Sequence, residues 1–481
     1  MRRLSDATLG EVRTPVRTPA YDRSAVQVGV VHFGPGAFHR AHQACYFDDM
    51  LAHDPRFAIC AVSLRTPDVR DALQPQDGLY TVMEREAEPT FRVVGSIREV
   101  LTASDESEAV FARLVSPGVR FVTSTVTEKG YCLTTTGDLD LDHADIRRDL
   151  ASPSRPVSFV GCVVEAARRR REAGIAPLTV ISCDNLSNNG AKLQAACVAY
   201  ARARGEPAVA DLIGEAAFPN TMVDSITPAT DQALRDDVAQ ALGLEDAWPV
   251  QRERFLQWVV EDRLGAEGDA FTRAGVTLAR DVAAFEKAKL RLLNGAHSTL
   301  AYVGLRLGYD TVSQAMGDER LAAFVERMMR QDVPPTLRAS ELDVPRYIGD
   351  VLARFRNPAI GHKLSQIAWD GSQKLRFRLL ETTAELLDQT RPVDRPAVGV
   401  AAWIGFVVRQ TQAAAPITDP LAAELGEVAR RCTGAAEQDV HEFLALNAVF
   451  PSALAAQPTF REAVTRAYAL LRDSPDTALA L

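Results

Sequence analysis

Short apolar runs and longer helical patterns alternate through the first half of the chain, and then the rhythm changes. Val28-Gly-Val-Val-His-Phe33, Phe57-Ala-Ile-Cys-Ala-Val-Ser-Leu64, Val119-Arg-Phe-Val-Thr-Ser-Thr-Val126 and Leu178-Thr-Val-Ile-Ser182 are apolar or β-branched runs of strand length, bounded by turn or polar residues. Helical patterns lie between them over residues 40–52 and 159–171. Strands alternating with helices predict an α/β fold with a doubly wound parallel sheet. From about residue 281 the periodicity is that of long helices, at 286–306, 318–331, 374–389, 398–412 and 437–446, broken by joints that contain proline. The expected organisation is a doubly wound α/β domain over residues 1–280 and a mostly α-helical domain over residues 281–481.

Length agrees with that division, because 481 residues exceed one ordinary core. With 47% hydrophobic and 24% charged residues the chain is neither disordered nor membrane-like. The net charge of −9 lacks the basic excess of a nucleic-acid-binding face. A local cluster of Lys, Arg and His can still attract an anionic substrate whatever the total charge. The seven cysteines are scattered without C-x-x-C spacing and read as reduced thiols. Neither a signal-peptide core nor a run of about 18 apolar residues is found, so a cytoplasmic protein without a membrane span is expected. The expected partner is a small molecule, bound by a monomer or small homo-oligomer.

Candidate chemistry concentrates in Glu286-Lys-Ala-Lys289-Leu-Arg-Leu-Leu-Asn294-Gly-Ala-His297. On an ideal helix, at roughly 100° per residue, Lys289, Glu286, His297 and Asn294 fall at about 0°, 60°, 80° and 140°. That fan can line one wall of a pocket with a base, an amide and an imidazole, or its members can simply find hydrogen bonds inside a buried helix. Gly34-Pro-Gly36 directly after the first strand suits either a pyrophosphate cradle at a helix N-terminus or a tight strand-to-helix turn, since His39 replaces the third glycine of the usual fingerprint. The arginines at 168–171, with Gly174 soon after, read as a dipole-matched helix end or an anion site. His39 and His42 lack the further ligands of a tetrahedral zinc site, and no metal is expected.

Six ordered blocks carry a resemblance. They are Gly34-Pro-Gly-Ala-Phe-His-Arg-Ala-His42, Thr125-Val-Thr-Glu-Lys-Gly-Tyr131, Ser182-Cys-Asp-Asn185, Met222-Val-Asp224, the run ending at His297, and Asp370-Gly-Ser-Gln-Lys374. From Val28 to Arg378 the chain resembles the polyol-specific long-chain dehydrogenases, the family of mannitol 2-dehydrogenase and fructuronate reductase. The resemblance implies an NAD-dependent, metal-independent secondary-alcohol dehydrogenase or ketone reductase, with a Rossmann-like dinucleotide-binding domain over residues 1–280 and a mostly helical substrate-binding and catalytic domain over residues 281–481. Gly34, Gly36, Ala37, Phe38, Thr127 and Glu128 would then line the cofactor, and Asp68 would bond the ribose hydroxyls and disfavour a 2′-phosphate. Pro67, where the family often has a second acid, and the nearby Arg65 leave NADP use open.

Within the resemblance Lys289 is the acid/base, and it can serve only if its surroundings lower its pKa from about 10.4. Asn185 and Asn294 match the amides that steady the oxyanion, and His297 a ligand of a substrate hydroxyl. Glu286 matches a proton-path carboxylate and Asp224 an acid near the reacting centre. Gln366 stands where mannitol dehydrogenases typically show arginine, and residues 357–374 look like fructuronate reductase. There His362, Lys363, Lys374 and Arg378 supply charge suited to a carboxylate or merely a solvated basic face. Reduction of D-fructuronate to D-mannonate is the first expectation, and oxidation of mannitol, arabinitol or a related polyol the second. A catalytically silent dinucleotide sensor is the alternative of another class, opposed by the intact set Asn185, Lys289, Asn294 and His297.

Overall fold

In a computed structural model describing residues 1–338 and 341–481, the chain divides into two compact units, Met1–Ala283 and Ala284–Leu481. The first unit carries strands β1 (Val28–Phe33), β2 (Ala58–Ser63), β3 (Tyr80–Arg85), β4 (Thr90–Val94), β5 (Ile97–Thr102), β6 (Phe121–Ser124), β7 (Thr179–Ser182), β8 (Thr221–Asp224), β9 (Val250–Glu253), β10 (Gln257–Glu261) and β11 (Thr277–Ala279). The main sheet has the order β5-β2-β1-β6-β7, with every neighbouring pair parallel. Crossovers run from β1 one way to β2 and β5 and the other way to β6 and β7, as in a doubly wound nucleotide-binding fold.

Side chains on β1 alternate between two cores, Val31 and Phe33 on one face and Val30 on the other. Both faces are covered, which is why the strand reads as a continuous apolar run rather than an alternating one. Two smaller sheets, β11-β10-β8 and β4-β3-β9, complete the unit. They depart from the simple strand-helix alternation expected for this half. The helix expected over residues 40–52 is two helices, Ala37–Ala41 and Gln43–Leu51, broken at His42 (φ −121°, ψ −94°).

Phe159–Glu172 is one helix, and Gly174 (φ +66°) ends it in the left-handed conformation while the Ile175 N–H bonds Arg170 O at 2.9 Å. Its arginines do more than match a dipole. Arg168 and Arg169 both bind the fully buried Glu165 carboxylate, at 2.8 and 2.7 Å, so they compensate an interior charge.

The second unit is helical throughout its described residues. Its helices include Glu319–Arg327, Val344–Arg356, Asp394–Gln412, Ala422–Arg431, Ala436–Leu444 and Pro458–Asp473. Asp394–Gln412 is apolar over most of its circumference because it packs against Gly295–Leu307, Ala422–Arg431 and Pro458–Asp473. Among the described residues no helix is long and apolar enough to cross a membrane.

Among the described residues, three helices of this unit contain wider, π-helical turns, at Lys289–Asn294, Met328–Asp332 and Arg376–Leu380. Their i to i−5 pattern is visible in the Gly295 N–H bonded to Leu290 O and the Glu381 N–H bonded to Arg376 O. The even fan expected from 100° per residue therefore fails between Lys289 and His297, since each π turn takes more residues to close. The first and third π stretches pack against one another, and Gly295 lets them approach: a Cβ there would lie 2.7 Å from Arg378 O.

Candidate active site

In the first unit the carboxyl ends of β1 and β6 open at the point where the strand order reverses, where ligands bind in such sheets. Gly34 (φ +88°) turns the chain out of β1, and any Cβ would run into the Thr125 carbonyl. Thr125 Oγ1 donates to Gly34 O at 2.7 Å and the Gly34 N–H to Val62 O at 2.9 Å. Gly36 precedes helix Ala37–Ala41, and its Cβ position meets only Gly34 O, at 3.9 Å. That open side leaves room for a bulky polar ligand against the backbone, so the turn fits a pyrophosphate.

Beneath the turn His32 and His39 stack with ring centroids 3.3 Å apart, and His32 Nδ1 lies 2.7 Å from Thr123 Oγ1. Burial first, then the neighbouring His32, Arg40 and His42, hold His39 well below the ordinary imidazole value, and burial lowers His32 to about 3. Both rings are structural and neutral. Phe38 stacks on His42 at 4.9 Å.

Asp68 starts helix Asp68–Leu73 after β2 and is exposed. Arg65, proposed from sequence for the cofactor, is exposed and bound to Asp145 at 2.9 Å. Thr127 and Glu128 are exposed on the turn after β6, and Thr127 takes φ +66°, ψ 166°. Asp224 is buried at the end of β8, opposite Gln257. The next helix, Gln232–Leu242, is capped by Asp231, which accepts from Leu234 N at 2.8 Å. Asn185 follows Asp184 at the end of β7.

Sequence reasoning gave Asp184 no role, yet it anchors the whole edge. Its carboxylate accepts from Thr127 N (2.7 Å), Val126 N (3.3 Å) and Tyr131 Oη (2.7 Å). Burial raises its carboxyl above the ordinary value and the Tyr131 hydroxyl opposes that rise. Among the described residues one Cys/His/Asp group, Cys132, His143 and Asp145, has donor atoms within 4.8 Å of one another. Asp145 is already bound to Arg65, and its N–H donates to His143 Nδ1 at 3.2 Å.

In the second unit Lys289 is 8% exposed and opens the π stretch that Asn294 closes, and Glu286 is half-buried on the preceding turn. The cations flanking Lys289 are spoken for. Lys287 and Arg291 both bind Glu385, at 3.0 and 2.7 Å, and Arg291 first, then Lys287, holds that carboxyl down at about 2. His297 is 7% exposed, its ring 4.4 Å from Phe355 and 5.2 Å from His362 at a steep 85°. Burial above all, then His362, Arg354 and Arg378, keeps it neutral, well below the ordinary imidazole value.

Arg378 donates to Ser298 Oγ at 3.1 Å, which brings it beside His297 on the neighbouring π stretch. The basic cluster expected to hold a carboxylate is only partly assembled. Lys374 Nζ donates to Trp369 O at 2.6 Å and lies 3.9 Å from Asp370, while Lys363 and Gln366 are exposed. Burial and the Arg378 guanidinium lower the Lys374 ammonium.

Residues 28–269 match the family model of the mannitol dehydrogenase Rossmann domain, and residues 281–472 that of the mannitol dehydrogenase C-terminal domain. The polyol:NADP oxidoreductase of Gluconobacter oxydans is 39% identical over 82% of this chain and 84% of its own. Among solved structures, D-sorbitol dehydrogenase in substrate-free form superposes with a TM-score of 0.91 at 33% identity, covering 99% of both chains. Pseudomonas fluorescens mannitol 2-dehydrogenase, solved as a ternary complex with NAD and D-mannitol, superposes with a TM-score of 0.80 at 35% identity, again over 99% of both.

Proposed function

The chain belongs to the mannitol dehydrogenase family, and from that premise we propose that it interconverts a sugar alcohol and its ketose, with NAD as the redox partner and Lys289 as the acid/base. The observation that carries this reading is the buried Lys289 at the head of a π stretch, with Asn294 at its foot and the neutral His297 just beyond.

When bound, NAD supplies the carbon that accepts hydride from the alcohol carbon. Gly34 and Gly36 would admit its pyrophosphate and Asp68 would bond its ribose. The rest falls to side chains. Lys289 takes the hydroxyl proton as hydride leaves, and returns it in the reverse direction. Asn294 and Asn185 donate N–H bonds to the developing alkoxide, which is worth most where water is excluded. The neutral His297 orients a neighbouring hydroxyl, Glu286 passes the proton towards solvent, and Asp224 acts near the reacting carbon.

Polyol substrates take precedence over fructuronate because the similar proteins named above are a polyol oxidoreductase, a sorbitol dehydrogenase and a mannitol dehydrogenase. The fructuronate reading keeps one supporting observation, the Arg378 guanidinium beside His297. Its proposed companion Lys374 is already engaged. A panel of mannitol, sorbitol and arabinitol with NAD and with NADP, and of fructose and fructuronate with the reduced cofactors, decides between them. The expected result is turnover of at least one uncharged polyol and its ketose with preference for NAD. Turnover confined to fructuronate would replace the polyol reading, and no turnover with any member while NADH binds would favour a sensor.

A further inference from the structure

Thr127 adopts a backbone conformation that belongs to glycine. At φ +66° and ψ 166° a β-branched residue is strained and persists only when its surroundings over-determine it. Asp184 and Tyr131 supply those surroundings. Asp184, buried at the end of β7, accepts the Thr127 N–H at 2.7 Å, the neighbouring Val126 N–H at 3.3 Å and the Tyr131 hydroxyl at 2.7 Å. Tyr131 is itself fully buried and also meets Ser182 Oγ. Asn189, buried behind this corner, ties β7 to β8 by donating to Asp184 O (3.0 Å) and Thr221 O (3.1 Å). The strained turn is therefore bolted to the sheet from two sides.

What the turn faces gives the strain a purpose. Thr125, two residues earlier, packs on Gly34 so closely that only glycine fits there, and its hydroxyl donates to Gly34 O at 2.7 Å. The strained turn and the glycine turn thus form adjoining parts of one crevice at the carboxyl edge of β1 and β6.

We infer that Asp184, with Tyr131 as its second anchor, is a positioning residue for the nicotinamide cofactor, holding Thr127 in a glycine-only conformation that shapes the cofactor crevice. This deepens the proposed function and rests on it. Asp184 touches no reacting atom and works through the peptide of Thr127.

The test is a double-mutant cycle on NADH affinity in the full-length protein, read by quenching or transfer fluorescence, using Asp184→Asn, Thr127→Gly and the pair. Asp184→Asn keeps the shape but replaces a carboxylate acceptor, and bonds to charged groups contribute enough that NADH Kd should rise by roughly ten- to a hundredfold. Turnover at saturating cofactor should fall much less. Glycine takes φ +66° without strain, so Asp184→Asn should cost several-fold less affinity in the Thr127→Gly background. A merely structural carboxylate would lower melting temperature and active fraction, and its loss would be equal in both backgrounds.

Equal losses, or an unchanged NADH Kd in Asp184→Asn, would overturn the inference. If Asp184→Asn does not fold, Tyr131→Phe takes its place in the cycle. It should raise NADH Kd by several-fold with the same dependence on residue 127, and additivity there overturns the inference equally. An unmodified protein that binds neither NADH nor NADPH would overturn the proposed function as well, whereas normal NADH binding with additive variants would sink the positioning role alone.

Discussion

Gly295→Ala isolates the packing of the two π stretches. The added Cβ would lie 2.7 Å from Arg378 O, roughly 0.8 Å inside ordinary van der Waals separation. Backbone stands on both sides of that contact, so one stretch must shift against the other. Overpacking of this kind costs about 1–3 kcal/mol, and the better helix propensity of alanine returns about 0.5–1. The expected net loss is roughly 0.5–2 kcal/mol, a drop of a few degrees in the melting of a unit this size.

Catalysis should suffer more. Asn294 immediately precedes the glycine, His297 follows it by two residues, and Arg378 supplies the clashing carbonyl, so a displacement approaching 1 Å moves proposed site residues on both stretches. Misplacement on that scale costs up to about a hundredfold in rate. Calorimetry and steady-state kinetics with a polyol and NAD check both parts, with Gly349→Ala as the control. Gly349 is exposed inside helix Val344–Arg356, and nothing lies within 4 Å of its Cβ position. That substitution should gain about 0.5–1 kcal/mol and leave turnover unchanged. A Gly295→Ala protein that melts higher and turns over normally would refute the reasoning.

Asn294→Ala should lower turnover by about 10²–10³-fold with NADH binding retained, measured by kinetics alongside a binding titration. A loss confined to substrate KM would remove it from oxyanion stabilisation. Asp68→Ala should weaken NADH binding and narrow its margin over NADPH, as paired titrations will report. Stability should fall as pH drops from about 6.5, because the unfolded chain takes up protons that the buried His32, His39 and His297 refuse, each contributing up to about 1.4 kcal/mol per pH unit. The burial-raised carboxyls of Asp184 and Asp246 gain protons in the fold and oppose this. His39→Phe should flatten the dependence of melting temperature on pH, and an unchanged slope would contradict the account of that ring.

The sheet core and its turn were legible in the sequence because burial on both faces writes continuous apolar runs, and because Gly34 stands where no side chain fits. The two small sheets were not, since strands such as Thr221–Asp224 are too short to establish a period. The π stretches escaped for a similar reason. Over six residues the hydrophobic pattern of Lys289–Asn294 does not distinguish a wide turn from an ordinary one, and tertiary packing of Gly295 on Arg378 O accompanies the choice. Asp184 was visible only as a letter in Ser182-Cys-Asp-Asn185, because its bonds to the 126–131 turn span more than fifty residues. The engagement of Lys374 by Trp369 O, which thins the expected carboxylate site, likewise depends on how the chain turns at Asp370 (φ +54°).

The most direct test of the central claim, that Lys289 is the proton-transferring group of an NAD-dependent polyol oxidoreductase, is single-turnover hydride transfer in Lys289→Ala. It is followed at the NADH absorbance band with enzyme in excess and NADH Kd measured on the same preparation. The expected result is a chemical step slowed by at least about 10²–10⁴-fold, with NADH affinity and melting temperature close to those of the unmodified protein. Hydride transfer at near the unmodified rate in a folded, NADH-binding Lys289→Ala protein would contradict it.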